Sequence, residues 1–316
     1  MESYIYKTKH GDLGYFQIEN GKCYTFPINK PNHHVGVGQW DQYFHLERIG
    51  STTPMSYSLS EQQILEGMKY FVSVNIEKKD TVIVEKVQLS DAGSYFYRTN
   101  RGEPLLSHTQ VSSHTILDEV RAYDNILESL LEIFRTVEPE LKNFDTYGSK
   151  IRELLIISCT EVEYLLQKFM SDNNKRAQSK HYNTNDYIWC LPILKLDQYI
   201  VSAMFFPGLG KLSPFSKWSS AATTQSLTWY DSYNKVKHDR GGSKEKATLS
   251  SLLNSIAAIH ILLEAQYGKE LFEYNFQHTF RTIFQTQSRP TWLLKDYSLP
   301  LLINKKVEWL TQKQHP

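Results

Sequence analysis

Cysteine is scarce in this sequence: Cys23, Cys159 and Cys190 stand far apart, and no CxxC pair occurs. That excludes a disulfide ladder and a cysteine-based zinc site, and it points to a reducing compartment. Cys159 lies in an apolar helical run, where a thiol packs as a small hydrophobe. An excess of charge of one sign is missing too. The net charge is +1, so no global field recruits polyanions, and any nucleic-acid contact has to be a local patch. Long apolar runs are absent: the longest, around Ile256 to Leu263, contains His260 and is too short to span a bilayer. The opening MESYIYKTKHGD lacks the apolar centre of a signal peptide. The expectation is a cytoplasmic protein with no membrane segment.

The motifs of common cofactor sites are missing as well. There is no GxxxxGK[ST], no GxSxG and no HExxH. GxG occurs at Gly36-Val37-Gly38 and at Gly208-Leu209-Gly210, but neither follows a strand and opens a helix. His33 and His34 are adjacent, which is poor chelating geometry, and no acidic or cysteine ligand stands near them at motif spacing. The reading is no metal and no cofactor.

What is present is enough for a large core, since hydrophobic residues make up 41% of the chain. At 316 residues the length favours two domains over one. The first hundred residues read as β-rich. SYIYK, GYFQI, KCYTF, YFHLERI, YFVSVNI, TVIVEKV and SYFYRT are β-branched and aromatic runs punctuated by Gly, Pro and Asn. EKKD and SDAG read as hairpin connections, and the stretch from Pro27 to Gly38 as a loop. Ser60 and Gln63 have capping-box spacing ahead of Ile64, Leu65 and Met68, which predicts one short helix.

At Thr115 the period changes. Ile116, Val120, Tyr123, Ile126, Leu127, Leu130 and Phe134 recur every three to four residues, so a helix is predicted, ending at Glu138-Pro139. A second runs from Ser149 through IRELLIISCTEVEYLLQKFM, and a third helical region covers Tyr187 to Phe206. A fourth covers Leu227 to Arg240 and ends at Gly241-Gly242. A fifth covers Lys244 to Tyr267 and is apolar nearly all round, so it packs on several sides. The aromatic tail carries a short predicted helix near Lys305 to Gln312. The fold class is therefore α+β: a β-rich domain over residues 1–110, then an antiparallel α-helical bundle with its tail over 111–316.

The stretch WYDSYNKVKHDR at 229–240 holds the densest chemistry. On a helix, Asn234 and His238 share a face, with Tyr233, Lys237 and Arg240 flanking it. Lys235, Lys237, Arg240, Lys244 and Lys246 outnumber Asp239 and Glu245 by five to two, a patch attractive to a phosphodiester backbone. Glu161 and Glu163 interrupt an otherwise apolar helix, and either can turn inward to pair with Lys237 or to orient His238. Arg176 and His181 in RAQSKH also combine an arginine with a histidine, but within a polar loop.

The run WYDSYNKVKHDR, the following helix ATLSSLLNSIAAIHILLEAQYG and the earlier RELLIISCTEVEYLLQKF together resemble the HEPN superfamily, over residues 115–268. That resemblance implies an α-helical bundle of the kind found in prokaryotic anti-phage and toxin–antitoxin systems. Many such domains are metal-independent endoribonucleases that act as homodimers. The family signature is an arginine, a polar residue and, a few positions on, a histidine. Asn234 takes the polar position and His238 the histidine position, whereas Tyr233 stands where the arginine belongs. The resemblance implies a catalytic set of His238, Asn234 and Tyr233. Lys235, Lys237, Arg240 and Lys244 would hold RNA phosphate, supported by Glu161 and Glu163. In RNA cleavage by its own 2′-hydroxyl, a histidine trades the proton and a fixed cation stabilises the phosphate. With Tyr233 the cation has to come from Lys237, Arg240 or a second subunit. Three readings follow: an active ribonuclease, an RNA-binding or scaffold version that has lost cleavage, and a His–Asn pair that hydrogen-bonds within the bundle. The N-terminal domain would then dock a protein partner or a phage component.

Overall fold

The computed structural model describes residues 1–27, 36–39, 61–75, 82–102, 113–239, 241–273, 282–303 and 306–315. Its elements run β1 (Glu2–Thr8), β2 (Leu13–Glu19), β3 (Lys22–Pro27), β4 (Gly36–Gln39), α1 (Glu61–Asn75), β5 (Ile83–Gln88) and β6 (Ser94–Phe96). Then come α2 (Ser113–Phe134), α3 (Ser149–Asp172), α4 (Thr184–Tyr187), α5 (Cys190–Leu194), β7 (Ile200–Ala203) and β8 (Lys211–Leu212). The chain closes with α6 (Thr228–His238), α7 (Leu249–Tyr267), α8 (Glu270–Glu273), β9 (Phe284–Ser288), β10 (Leu301–Ile303), β11 (Lys306–Glu308) and β12 (Thr311–Lys313). The protein is mixed α+β, with a β-rich N-terminal part and several helices in its C-terminal half. It divides into two compact units. The first comprises residues 1–96, 101–105 and 292–313, and the second 97–100, 106–291 and 314–316.

In the first unit, β4-β3-β2-β1-β5 form an antiparallel sheet. Asn20 and Gly21, both at positive φ, make the two-residue turn between β2 and β3, the geometry that matches strand twist. Side chains alternate between faces and both faces are covered. Tyr4, Tyr6, Phe16 and Cys23 pack with Met68 and Val72 of α1, while Ile5 and Tyr15 pack with Leu89, Leu294 and Leu299. Two expectations are corrected here. YFVSVNI is not a strand: its residues up to Asn75 continue α1, because Val72 extends the helical apolar row of Met68. SDAG does not close a hairpin. It separates β5, which pairs with β1, from β6, which pairs in parallel with β12. Gly93 at φ +88 is needed there, since a Cβ would meet the Leu301 side chain at 3.0 Å. YFHLERI and EKKD lie outside the described residues.

The second unit is organised around α7, whose residues are buried except at Ser250 and Asn254, which are half-buried. Thr248 caps it, its hydroxyl accepting from the Ser251 amide at 3.2 Å. Helices α2, α3 and α6 pack on it, and β8-β7-β9 form a small antiparallel sheet. By length and composition alone α7 would cross a membrane, but 89% of its apolar window is buried inside the fold. The helical region expected over Tyr187–Phe206 is corrected: it holds the end of α4, the short α5, a 3-10 turn at Leu196–Gln198 and the strand β7. The left-handed Lys195 (φ 47°) ends α5, and Ile200-Val201 then favours extended chain. The tail helix near Lys305–Gln312 is replaced by β11 and β12, and residues 292–313 group with the first unit. Leu253 lies at the centre of the α7 core, fully buried. Leu253→Ala is expected to cost about 2–5 kcal/mol in urea unfolding, while Ile157→Ala on an exposed face changes stability by less than about 0.5 kcal/mol.

Candidate nucleic-acid interface on α6

Helix α6 is short and amphipathic. Trp229, Tyr230, Tyr233 and Val236 form its buried stripe. Trp229 donates its indole N–H to the Pro214 carbonyl at 2.9 Å, which fixes the start of the helix. Asp231 lies in the first turn and Lys235, Lys237 and His238 in the last, the arrangement the helix dipole favours. Away from that stripe the helix presents half-buried Asn234 and exposed Lys235 and His238, while exposed Lys237 follows Tyr233 by one turn along the edge of the stripe.

Tyr233, in the arginine's place, is a core residue only 1% exposed. Its hydroxyl accepts a hydrogen bond from Lys237 Nζ at 2.7 Å, and the same ammonium lies 4.9 Å from its ring centroid. The phenol is pushed up by burial, against the pull of Lys237, and the ammonium is pushed up chiefly by its bond to Tyr233. The cation of this face is therefore one turn from the expected position, pinned over an aromatic ring. Lys235 is committed to Asp231 at 2.6 Å. Among the described residues, Asn234 and His238 make no side-chain hydrogen bond to each other or to the bundle. His238 ends the helix exposed, and Lys244 is exposed in the following 3-10 turn. Arg240 lies outside the described residues.

The two glutamates of α3 go different ways. Glu163 accepts from the Tyr230 hydroxyl at 2.5 Å, and its charge reaches Tyr233 and Lys237. Glu161 instead is held near pKa 7, by burial and then by the charge of Glu119, and its Oε1 is buried without a hydrogen-bond partner. Arg176 and His181 are exposed on the loop after α3.

Sequence reading missed the two buried polar clusters of this unit. In one, Arg98 is completely buried at φ +53, and its Nη2 donates to both Glu119 oxygens at 2.8 Å. Its Nε donates to Gln266 Oε1 at 2.6 Å, and the Tyr267 hydroxyl donates to Glu119 at 2.5 Å. In the other, His260 lies between Tyr123 and Thr286, its ring stacked 4.3 Å from Phe272. Burial, with a smaller contribution from Arg289, lowers its pKa to about 3, so this imidazole is neutral. Its neighbour Glu264 is bound by Arg289 at 2.6 Å and by the Thr286 hydroxyl at 2.6 Å. Among the described residues no group of three His, Cys, Asp or Glu side chains comes together to hold a metal. No protein-family model, curated protein or solved structure matches this chain.

Proposed function

We propose that the helical unit is a HEPN-like module that binds RNA and cleaves it without metal, as part of a prokaryotic defence system. The observation that carries this reading is the exposed last turn of α6. There His238 is exposed and makes no side-chain hydrogen bond among the described residues, and it follows Lys237, whose ammonium is anchored on Tyr233. In the reaction, the 2′-hydroxyl gives its proton to the imidazole of His238 and its oxygen bonds to phosphorus. The bond from phosphorus to the 5′-oxygen breaks, and that oxygen takes the proton back. The products are a 2′,3′-cyclic phosphate and a 5′-hydroxyl. Lys237 supplies charge to the phosphate oxygens, and in a homodimer a second copy of the same turn doubles it.

The burial of Tyr233 favours a second reading: with a core phenol in place of a surface guanidinium, the fold serves as a dimerising scaffold and the β-rich unit holds a protein partner. The two separate by experiment. Purified protein is incubated in EDTA with structured and unstructured RNA, beside His238→Ala. The nuclease reading expects cyclic-phosphate ends and a loss of about 100- to 10 000-fold in the variant. Equal cleavage by both proteins removes His238 from the chemistry. Absence of cleavage together with RNA affinity that does not change with salt leaves the scaffold.

A further inference from the structure

On α3, Glu161 stands one turn after Ile157 and one turn before Tyr164, so the three share a face. Ile157 is 55% exposed and Tyr164 43%, and the carboxylate between them is half-buried. Glu161 makes no side-chain hydrogen bond or ion pair among the described residues, and its Oε1 is shut off from solvent with no donor to meet it. One turn back, the fully buried Ser158 hydroxyl is also without a hydrogen-bond partner among them. An acceptor left this way costs stability, so its retention calls for an explanation. The charges around it show why the fold supplies no donor. Glu119 faces Glu161 from α2, and Asp172 lies further along α3. The cations near these carboxylates are already engaged. Arg98 binds Glu119 at 2.8 Å and lies 3.7 Å from Asp172, and Lys168 binds Asp172 at 2.5 Å. The hydroxyls of Tyr164 and of Tyr267 on α7 both donate to Glu119. On the outer surface of α2, Arg121 pairs with Asp118. Glu161 is the carboxylate left over. Burial, and then the charge of Glu119, hold it near pKa 7, so at neutral pH it is poised between its two forms.

We infer that this face of α3 docks a basic amphipathic segment of a partner protein, whose arginine or lysine bonds Glu161 while apolar side chains beside that cation cover Ile157 and Tyr164. A guanidinium or an ammonium brings both the missing charge and the missing donors. Apolar neighbours three or four positions from it on a helix match the four- and three-residue steps of the α3 face. A second copy of this chain fits worse, because a two-fold contact centred on this turn sets Glu161 against Glu161. The inference does not depend on cleavage at α6.

Selection of a phage-displayed library of helical peptides on the full chain, beside Glu161→Gln, tests it. Wild type is expected to enrich peptides in which an arginine or lysine is flanked by apolar residues three or four positions away, and Glu161→Gln is expected to lose that set. An enriched peptide, followed by fluorescence anisotropy, is expected to bind Glu161→Gln about tenfold more weakly and Ile157→Ala about threefold more weakly. Neither variant is expected to melt below wild type, because one removes an unpaired carboxylate and the other changes an exposed side chain. Docking takes the charged carboxylate, whose proton leaves near pH 7. Affinity for wild type is therefore expected to rise by up to about tenfold from pH 6 to pH 8, and affinity for Glu161→Gln to stay level. The assignment is overturned if no peptide is enriched, if the enriched peptides lack the cation, if Glu161→Gln selects the same set, or if wild-type affinity is the same at both pH values. A dimer in sedimentation that Ile157→Arg turns into a monomer gives this face to a second copy and overturns it as well.

Discussion

Arg98→Met is expected to lower the unfolding free energy by about 3–5 kcal/mol, the largest effect of any single substitution away from the apolar core. The cause is the carboxylate left behind more than the lost bonds. Glu119 is buried on α2 and accepts from Arg98 Nη2 at both oxygens, so without the guanidinium its charge keeps, among the described residues, the hydroxyls of Tyr267 and Tyr164, with Glu161 near it as a like charge. The double variant Arg98→Met, Glu119→Leu is therefore expected to recover most of the loss. Urea unfolding of the four proteins in the cycle measures the coupling. A single-variant loss below about 1 kcal/mol, with no recovery in the double, would show that water reaches this cluster and solvates Glu119.

The second large effect is acid lability centred on His260. The folded imidazole accepts its proton only near pH 3, whereas in the unfolded chain it does so near the ordinary 6.5. Between those values the unfolded state binds more protons, so stability is complete above about pH 6.5 and falls as the pH drops towards 3. Each pH unit in that window removes up to about 1.4 kcal/mol. Glu264 faces the ring, with its Oε2 3.8 Å from His260 Nε2, but its charge is engaged by Arg289 and does not rescue the imidazolium. His260→Gln keeps a hydrogen-bonding side chain near Thr286 and has no proton to gain. Its unfolding free energy, measured from pH 7 to pH 4, is expected to decline less steeply than that of wild type. Parallel curves would mean that the folded protein admits a charged His260.

What was legible in the sequence was local. Helices α2, α3 and α7 follow apolar rows at helical spacing, and the row of α2 is buried except at Phe134, which is partly buried. YFVSVNI misled because aromatic and β-branched composition outweighed the helical row that Met68 and Val72 continue. The interval from Tyr187 to Phe206 misled the other way: its apolar residues are plentiful, but Lys195 at positive φ breaks them into short pieces. Arg98 was beyond reach. It sits in a strand-like run, and its partners lie 21 and 168 positions away, where no local pattern connects them. At α6 the spacing brought Tyr233 and Lys237 within one turn, but whether the phenol was core or surface depended on α3. Glu163 and Glu161, two positions apart, diverged for the same reason: one meets Tyr230 of α6 and the other feels Glu119 of α2.

The parallel pairing of β6 with β12 has a consequence for synthesis. Ser94 and Thr311, whose hydroxyls meet at 2.7 Å, are separated by 217 positions. At roughly 5–20 residues per second, a ribosome delivers the second strand roughly 10–40 s after the first. Throughout that interval the edge of β6 has no native strand to pair with, while every described helix of the second unit has already emerged or is emerging. The β-rich unit, although first in the chain, waits for residues close to the end of the chain, and a nascent chain stalled before residue 311 exposes an open strand edge to whatever extended segment is near.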